Sequence, residues 1–328
     1  MERALSGITP SGKLHLGNYI GAIQQFIQMQ DEFEMYIFVS NLHSLTVYQE
    51  KKDRKKFTFD LVAYYLACGL DTNKTNIFLQ SDVMQHAQLG WIMQCHTYMG
   101  ELSRMTQYKD KSTKHSDNIN VGLFTYPALM AADILMYDPK FVPVGEDQRQ
   151  HVELARDVAI RFNNKYGETF IIPEIHITEG GAKVMSLSDP TKKMSKSDDP
   201  KDRGCIYLED DEKTITKKIK SATTDSIGKV NYDTEKQPGI SNLLVIYSQM
   251  TGLSIEQSQE KFHDSSYAEF KDEVAKAVCN HLANLQEKYR YVVENNLVEE
   301  ALQKGCKKAS EVASKKLQKV EKKLGLSI

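Results

Sequence analysis

Ser6-Gly-Ile-Thr-Pro-Ser-Gly-Lys-Leu-His-Leu-Gly-Asn18 decides how the chain is read. Leading into it, Leu5-Ser-Gly-Ile8 is a short run of strand character. Beyond it, apolar residues recur at 19, 20, 23, 26 and 27, the stripe of a helix. Strand, glycine-punctuated turn and helix in that order put the turn beyond a strand's carboxyl end. A helix N-terminus there offers unpaired N–H groups to phosphate. Gly7, Gly12 and Gly17 let a ligand approach the backbone. Taken alone, the same residues also fit an ordinary turn with His15 a satisfied helix residue.

The following segments keep the alternation. Residues 35–40 and 76–80 are apolar strand runs, residues 53–68 form a helix stopped by Gly69, and residues 83–98 form another helix. Residues 141–144 read as a strand and 146–162 as a helix. The expected fold class is therefore α/β, a doubly wound parallel sheet with helices on both faces. After Pro200 strand runs nearly vanish. Helical patterns cover 211–222, 240–250, 255–262, 267–294 and 298–324, a second, all-helical region. The polar stretch 109–118 reads as a loop.

Composition narrows the classes. A chain of 328 residues holds two domains and a sizeable core. Net charge of −2 gives no global attraction to nucleic acid, so any RNA contact rests on local patches. The start reads into a strand rather than a signal peptide, and no apolar run nears the roughly 20 residues that span a bilayer. Five cysteines without a CxxC pair fit reduced, small buried residues better than disulfides or a zinc site, and fit a cytoplasmic protein.

A second segment, Lys193-Met-Ser-Lys-Ser197, lies between Pro190 and Pro200 and reads as a loop. Two lysines and two hydroxyls on such a loop supply charge and donors to a phosphate chain. The first segment resembles the HIGH signature of class I aminoacyl-tRNA synthetases, written here His15-Leu-Gly-Asn18. The second matches that class's five-residue signature letter for letter. The resemblance runs from residue 1 to the last helix, and its details look like the bacterial tryptophanyl branch.

That resemblance implies a Rossmann-like catalytic domain over 1–186, a helical anticodon-binding domain over 187–285, and C-terminal helices over 286–328 packing back on the first. It implies tryptophan activation with ATP and Mg2+, then transfer to the tRNA for tryptophan, by a cytoplasmic homodimer. Carried over position by position, the catalytic residues are Lys193, Lys196 and His15. The ATP site takes Thr9, Pro10, Ser11, Gly17, Asn18, Gly145, Glu146, Asp147, Val184, Met194, Ser195 and Ser197. The tryptophan pocket takes Asp133, Tyr126, Met130, Gln148, His43, Leu5, Val142 and Val144. Thr9, His15 and Leu5 depart from the glutamine, threonine and phenylalanine seen in relatives. A tyrosyl enzyme sharing both signatures, and a tRNA-binding relative without catalysis, stay as alternatives.

The residues support parts of this on their own chemistry. Gly145 to Asp147 sit at a strand-to-helix turn, where acidic side chains either meet a ribose or stabilise the helix dipole. Thr125 reads as a helix cap with Pro127 in the first turn, putting Tyr126, Met130 and Asp133 on one face. Asp133, among Ala131, Ala132, Ile134 and Leu135, is a carboxylate in an apolar setting and needs a partner. An indole N–H meets that need, as does a core-facing Arg or Lys. His43 reads equally as a pocket residue or a core-edge histidine. Lys213, Lys217, Lys218 and Lys220, with eight further lysines between Ala301 and Leu324, fit phosphate contact or solvated helix faces. The helix over 83–98 is apolar around much of its girth, so it is buried or in an interface.

Overall fold

Five parallel strands, β1 (Arg3–Ile8), β2 (Glu34–Val39), β3 (Thr75–Leu79), β4 (Phe141–Pro143) and β5 (Glu174–His176), form one sheet in the order β3-β2-β1-β4-β5. The computed structural model describes residues 1–109, 119–176, 183–196 and 203–327. The expected loop over 109–118 lies outside them but for its first residue. β1 and β2 pair from Arg3–Glu34 through Ile8–Val39, whereas β1 and β4 share a register pair at Ala4–Phe141. Toward their carboxyl ends the Ser6 hydroxyl donates to the Pro143 carbonyl, 3.1 Å away. The strand order reverses between β1 and β4, which opens a crevice there for a ligand.

Side-chain alternation sends each strand's residues to opposite faces. Ala4, Met35, Ile37 and Val39 pack against α1 (residues 16–29, with a π-helical turn at Tyr19–Ile23) and α2 (Lys51–Cys68). Leu5, Tyr36, Phe38 and Phe78 pack against α3 (Gln85–Gln94), α5 (Val121–Leu135) and α6 (Arg149–Tyr166). The expected helix over 83–98 stops short of its pattern. α3 ends at Gln94, Tyr98 is extended, and α4 (Met99–Ser103) starts anew where Glu101 accepts the Tyr98 N–H at 2.8 Å. The edge strand β5, three residues long, carried no legible pattern.

α5 also begins earlier than expected. Asn120, not Thr125, is its cap, accepting the Leu123 N–H at 3.0 Å. Thr125 lies within the helix with its hydroxyl on the Val121 carbonyl, and Pro127 is likewise interior. The proline withholds one intrahelical bond, yet the face bearing Tyr126, Met130 and Asp133 is kept.

The helical region comprises α7 (Glu212–Lys220), α8 (Pro238–Thr251), α9 (Ile255–Phe262), α10 (Tyr267–Glu294) and α11 (Leu297–Leu324). Ser254 and Ser266 start α9 and α10 with reciprocal capping boxes to Gln257 and Glu269. Ile219, Leu244, Phe270 and Leu282 join the same apolar cluster as α1 and α2. α10 is tied to α2 by the Tyr289 hydroxyl on Asp60, 2.7 Å, and by the Tyr64–Tyr289 ring pair at 4.5 Å. α11 lies on the edge strand β3 and shields it from pairing with another chain. Close approach needs Gly305, where a Cβ would stand 2.6 Å from the Ile77 carbonyl carbon and 2.9 Å from its nitrogen. Among the described residues no helix is long and apolar enough to cross a membrane.

Candidate active site

The first signature turn runs from the end of β1 into α1. Thr9 and Ser40, following β1 and β2, join their hydroxyls at 2.9 Å, and the Ser11 N–H closes on the Thr9 carbonyl at 2.8 Å. Pro10 is buried, its carbonyl taking a bond from Gln49. Asn18 reaches back through Oδ1 to the His15 N–H, 3.1 Å, fixing the first turn of α1. The segment carrying Ile206 and Leu208 closes the loop from the far side: Leu16 donates to the Ile206 carbonyl at 2.9 Å and Leu208 to the Leu14 carbonyl at 3.0 Å.

His15 is buried, and its Nδ1 has no hydrogen-bond partner among the described residues. Burial first, and the Lys193 charge second, push the imidazole down to about 4. With these neighbours the ring is neutral at pH 7, and its Nδ1 is open to a hydrogen bond. Gly17 brings the backbone close, since a Cβ would lie 3.1 Å from the His15 ring and 3.5 Å from the Met194 Cβ.

The second signature sits directly above. Lys193 bridges to Met185, Met194 donates to the Val184 carbonyl at 2.9 Å, and the Asn242 amide of α8 clamps Met185 from both sides, at 2.8 and 2.9 Å. Val184 and Met194 are core side chains that pin this hairpin, while Lys193, Ser195 and Lys196 are exposed. The Lys196 ammonium is bonded to the Ser11 carbonyl, and a Cβ at Gly12 would stand 3.2 Å from it. Two segments far apart in sequence thus meet over one helix N-terminus. Ser197 lies outside the described residues.

Across the crevice, Gly145 follows β4 and the turn Glu146–Gln148 leads into α6. The Asp147 carboxylate folds back over Gly145, where a Cβ would be 2.8 Å from Oδ1, and receives the Gln148 amide at 2.8 Å. Glu146 instead pairs outward with Arg149 at 2.7 Å.

Leu5, Met130, Val142 and Val144 all pack on the α5–α6 side of the sheet. The Tyr126 ring stands edge-on to His43 at 6.0 Å, and its hydroxyl meets His151 Nε2 at 3.0 Å. Behind them Asp133 is wholly buried. It accepts from His43 Nε2 at 2.7 Å, from His86 Nδ1 at 2.6 Å, and from Gln80 Nε2 at 2.9 Å to both oxygens. Burial alone would raise this carboxyl. The bonds from His43 and His86 overcome that and hold it down at about 2.

A family model for tRNA synthetases class I (W and Y) matches residues 2–283. The chain belongs to that family. It is an aminoacyl-tRNA synthetase, hence an enzyme. The tryptophan–tRNA ligase of Caldanaerobacter subterraneus subsp. tengcongensis is 51% identical over 327 residues, 99% of each chain. A crystal structure of tryptophanyl-tRNA synthetase from Mycoplasma pneumoniae superposes with a TM-score of 0.90 at 40% identity, covering 99% of this chain and 98% of that one. The Campylobacter jejuni enzyme complexed with ADP and tryptophan superposes at 0.84, with 37% identity over 98% and 99% of the two chains.

Sequence reasoning missed Gln80, His86, Tyr137 and His151. In place of the expected core-facing Arg or Lys, Asp133 is held by two imidazoles and an amide. The signal was available: His86 falls on the buried face of a helix that had to meet α5. The lysine clusters divide as well. Lys218 and Lys220 pair with Asp210 and Asp272, and Lys304, Lys308 and Lys316 fasten α11 to Asn73, Glu34 and Asp138. Of the cysteines, Cys205 is buried, Cys68, Cys279 and Cys306 are partly so, and Cys95 is exposed, against the expectation of five buried thiols.

Proposed function

We propose that this synthetase joins L-tryptophan to the tRNA for tryptophan in two steps. A carboxylate oxygen of tryptophan attacks the α-phosphorus of ATP, the bond to the β-phosphate oxygen breaks, and pyrophosphate leaves with the electron pair. The 3′-terminal hydroxyl of the tRNA then attacks the carbonyl of the adenylate and AMP departs. Neither step asks much covalent chemistry of the protein, so positioning and charge stabilisation dominate. The observation that carries the reading is the meeting of Lys196 with the Ser11–Gly12 turn beside the unsatisfied Nδ1 of neutral His15.

In this reading Lys193 and Lys196 neutralise the leaving pyrophosphate, and His15, Asn18 and the α1 N-terminus bind the phosphate chain. Thr9, Ser11 and Ser195 add hydroxyl donors, Ser197 with them. Gly145 and Asp147 face the ribose. Asp133 accepts the indole N–H, Tyr126 and Gln148 hold the α-amino group, and Leu5, Met130, Val142 and Val144 pack on the ring. ATP arrives with Mg2+ held by its phosphate oxygens; among the described residues no group of three His, Cys, Asp or Glu is placed to bind a metal. Unit 1–186, with the Lys193–Lys196 loop at the head of 187–285, then serves catalysis, the helices of 187–285 serve anticodon recognition, and 286–328 straps the sheet.

Met84 just before α3 and Trp91 on it, 80% and 66% exposed, with Tyr98 and Met99 at the start of α4, form the face of a homodimer. The chemistry is that of a cytoplasmic enzyme. ATP–pyrophosphate exchange with each of the twenty amino acids tests the function. Exchange with tryptophan alone supports it; exchange with tyrosine, or with none, overturns it.

A further inference from the structure

We propose that Gln80, His86 and Tyr137 are positioning residues for tryptophan recognition, holding the Asp133 carboxylate from behind while His43 is the partner that gives its place to the indole N–H. This rests on the reading of Asp133 as the indole acceptor.

The argument starts from counting. A carboxylate offers about four lone-pair sites. Here Oδ1 takes His86 and Gln80, and Oδ2 takes His43 and Gln80, so the sites are filled before any ligand arrives. An indole N–H can bind only by replacing a donor. Asp133, Gln80 and His86 are wholly buried, whereas the His43 side chain keeps 12% exposure and stands at Tyr126. His43 begins the short turn His43–Thr46, so it can swing without disturbing the sheet. The replaced donor is His43, and the bond count at Asp133 is conserved through the exchange.

The other donors are fixed in direction. Burial pushes the Tyr137 hydroxyl well above its usual range, so it keeps its proton and needs an acceptor. His86 Nε2 lies 2.7 Å away. With Nε2 accepting, the neutral ring carries its hydrogen on Nδ1 and donates to Asp133, and every polar atom of the relay is used. A cationic His86 would leave the Tyr137 hydrogen without an acceptor. Gln80 is oriented in the same way. Its Oε1 accepts the Leu42 N–H at 3.1 Å, which turns its NH2 toward Asp133. The relay Tyr137 to His86 to Asp133 thus fixes one oxygen, and Gln80 fixes the plane of both.

The test compares exchange kcat/KM for tryptophan and for its benzothiophene analogue, in which sulfur replaces the N–H, using the full chain. Wild type should prefer tryptophan strongly. His86→Asn keeps an N–H near the place of Nδ1 and should hold that preference within about threefold. His86→Leu removes the donor and should reduce it by about tenfold or more, the scale of one hydrogen bond to a buried charge. Tyr137→Phe frees the imidazole to take the other tautomer and should reduce the preference several-fold. It loses a single oxygen, so it carries the test should His86→Leu fail to fold. His43→Ala should keep the preference. A purely structural network predicts lower melting temperatures with an unmoved preference, and that result in folded Tyr137→Phe and His86→Leu overturns the inference alone. Wild type without any preference overturns the Asp133 reading and this inference with it.

Discussion

Lys196→Ala asks whether the charge on the second loop is used in the chemical step. The ammonium hangs over the Ser11–Gly12 turn at the mouth of α1. In the proposed reaction pyrophosphate gathers negative charge as it leaves that turn. A unit charge about 4 Å from another contributes on the order of 4 kcal/mol at an effective dielectric of about 20. Exposure of the loop lowers that figure, and one donor aimed at developing charge is worth roughly 2–4 kcal/mol, a rate loss of about 30- to 1000-fold. With tryptophan held at Asp133 on α5, as proposed, its affinity should hardly change. Single-turnover adenylate formation from labelled ATP, beside equilibrium dialysis with tryptophan, reads both quantities. Lys196→Gln is the companion: it keeps a donor for the Ser11 carbonyl but no charge. If charge acts, glutamine should be about as slow as alanine; if the lysine is only a tether, glutamine should be near wild type. An unchanged single-turnover rate in Lys196→Ala would refute the leaving-group role.

Asp133→Ala should weaken tryptophan more than the benzothiophene analogue by roughly 1–3 kcal/mol, and should also lower the melting temperature because three donors lose their acceptor. Paired exchange and melting measurements check this, and an unmoved ratio between the two substrates removes Asp133 from recognition. Gly305→Ala drives a methyl into the Ile77 backbone and should destabilise by about 3 kcal/mol; a wild-type urea midpoint would contradict the close packing of α11 on β3. His15 binds a proton at about 6.5 when unfolded but at about 4 when folded, so its contribution is full above pH 6.5 and is lost as the pH falls toward 4. The loss is about 3 kcal/mol at most. His15→Asn should flatten that part of the stability curve in urea titrations at pH 7 and pH 4.5, and parallel curves would count against a buried neutral imidazole.

Where local rules agree with tertiary packing, the sequence was legible. α9 and α10 start at serines whose glutamine and glutamate lie three residues on, and their ends fall where the pattern placed them. Gly69, with φ at +110°, stops α2 as the pattern required. α5 misled because a threonine and a proline imitate a helix start, while Asn120 upstream supplied the better acceptor. The early end of α3 was hidden because apolar residues continue beyond it, some facing the core and some exposed. In the site, both signature segments were visible because phosphate binding demands particular backbone and charge. The partners of Asp133 were not, because Gln80, His86 and Tyr137 come from three elements that only the folded sheet brings together. The lysines of α11 looked uniform in sequence, and only packing distinguishes those that fasten it from those in water.

The most direct measurement is charging of purified tRNA for tryptophan by the purified chain, with labelled tryptophan and labelled tyrosine supplied in parallel. The account predicts ATP-dependent attachment of tryptophan to the tRNA's 3′ end and none of tyrosine. Attachment of tyrosine, or a folded protein that attaches neither, would contradict it.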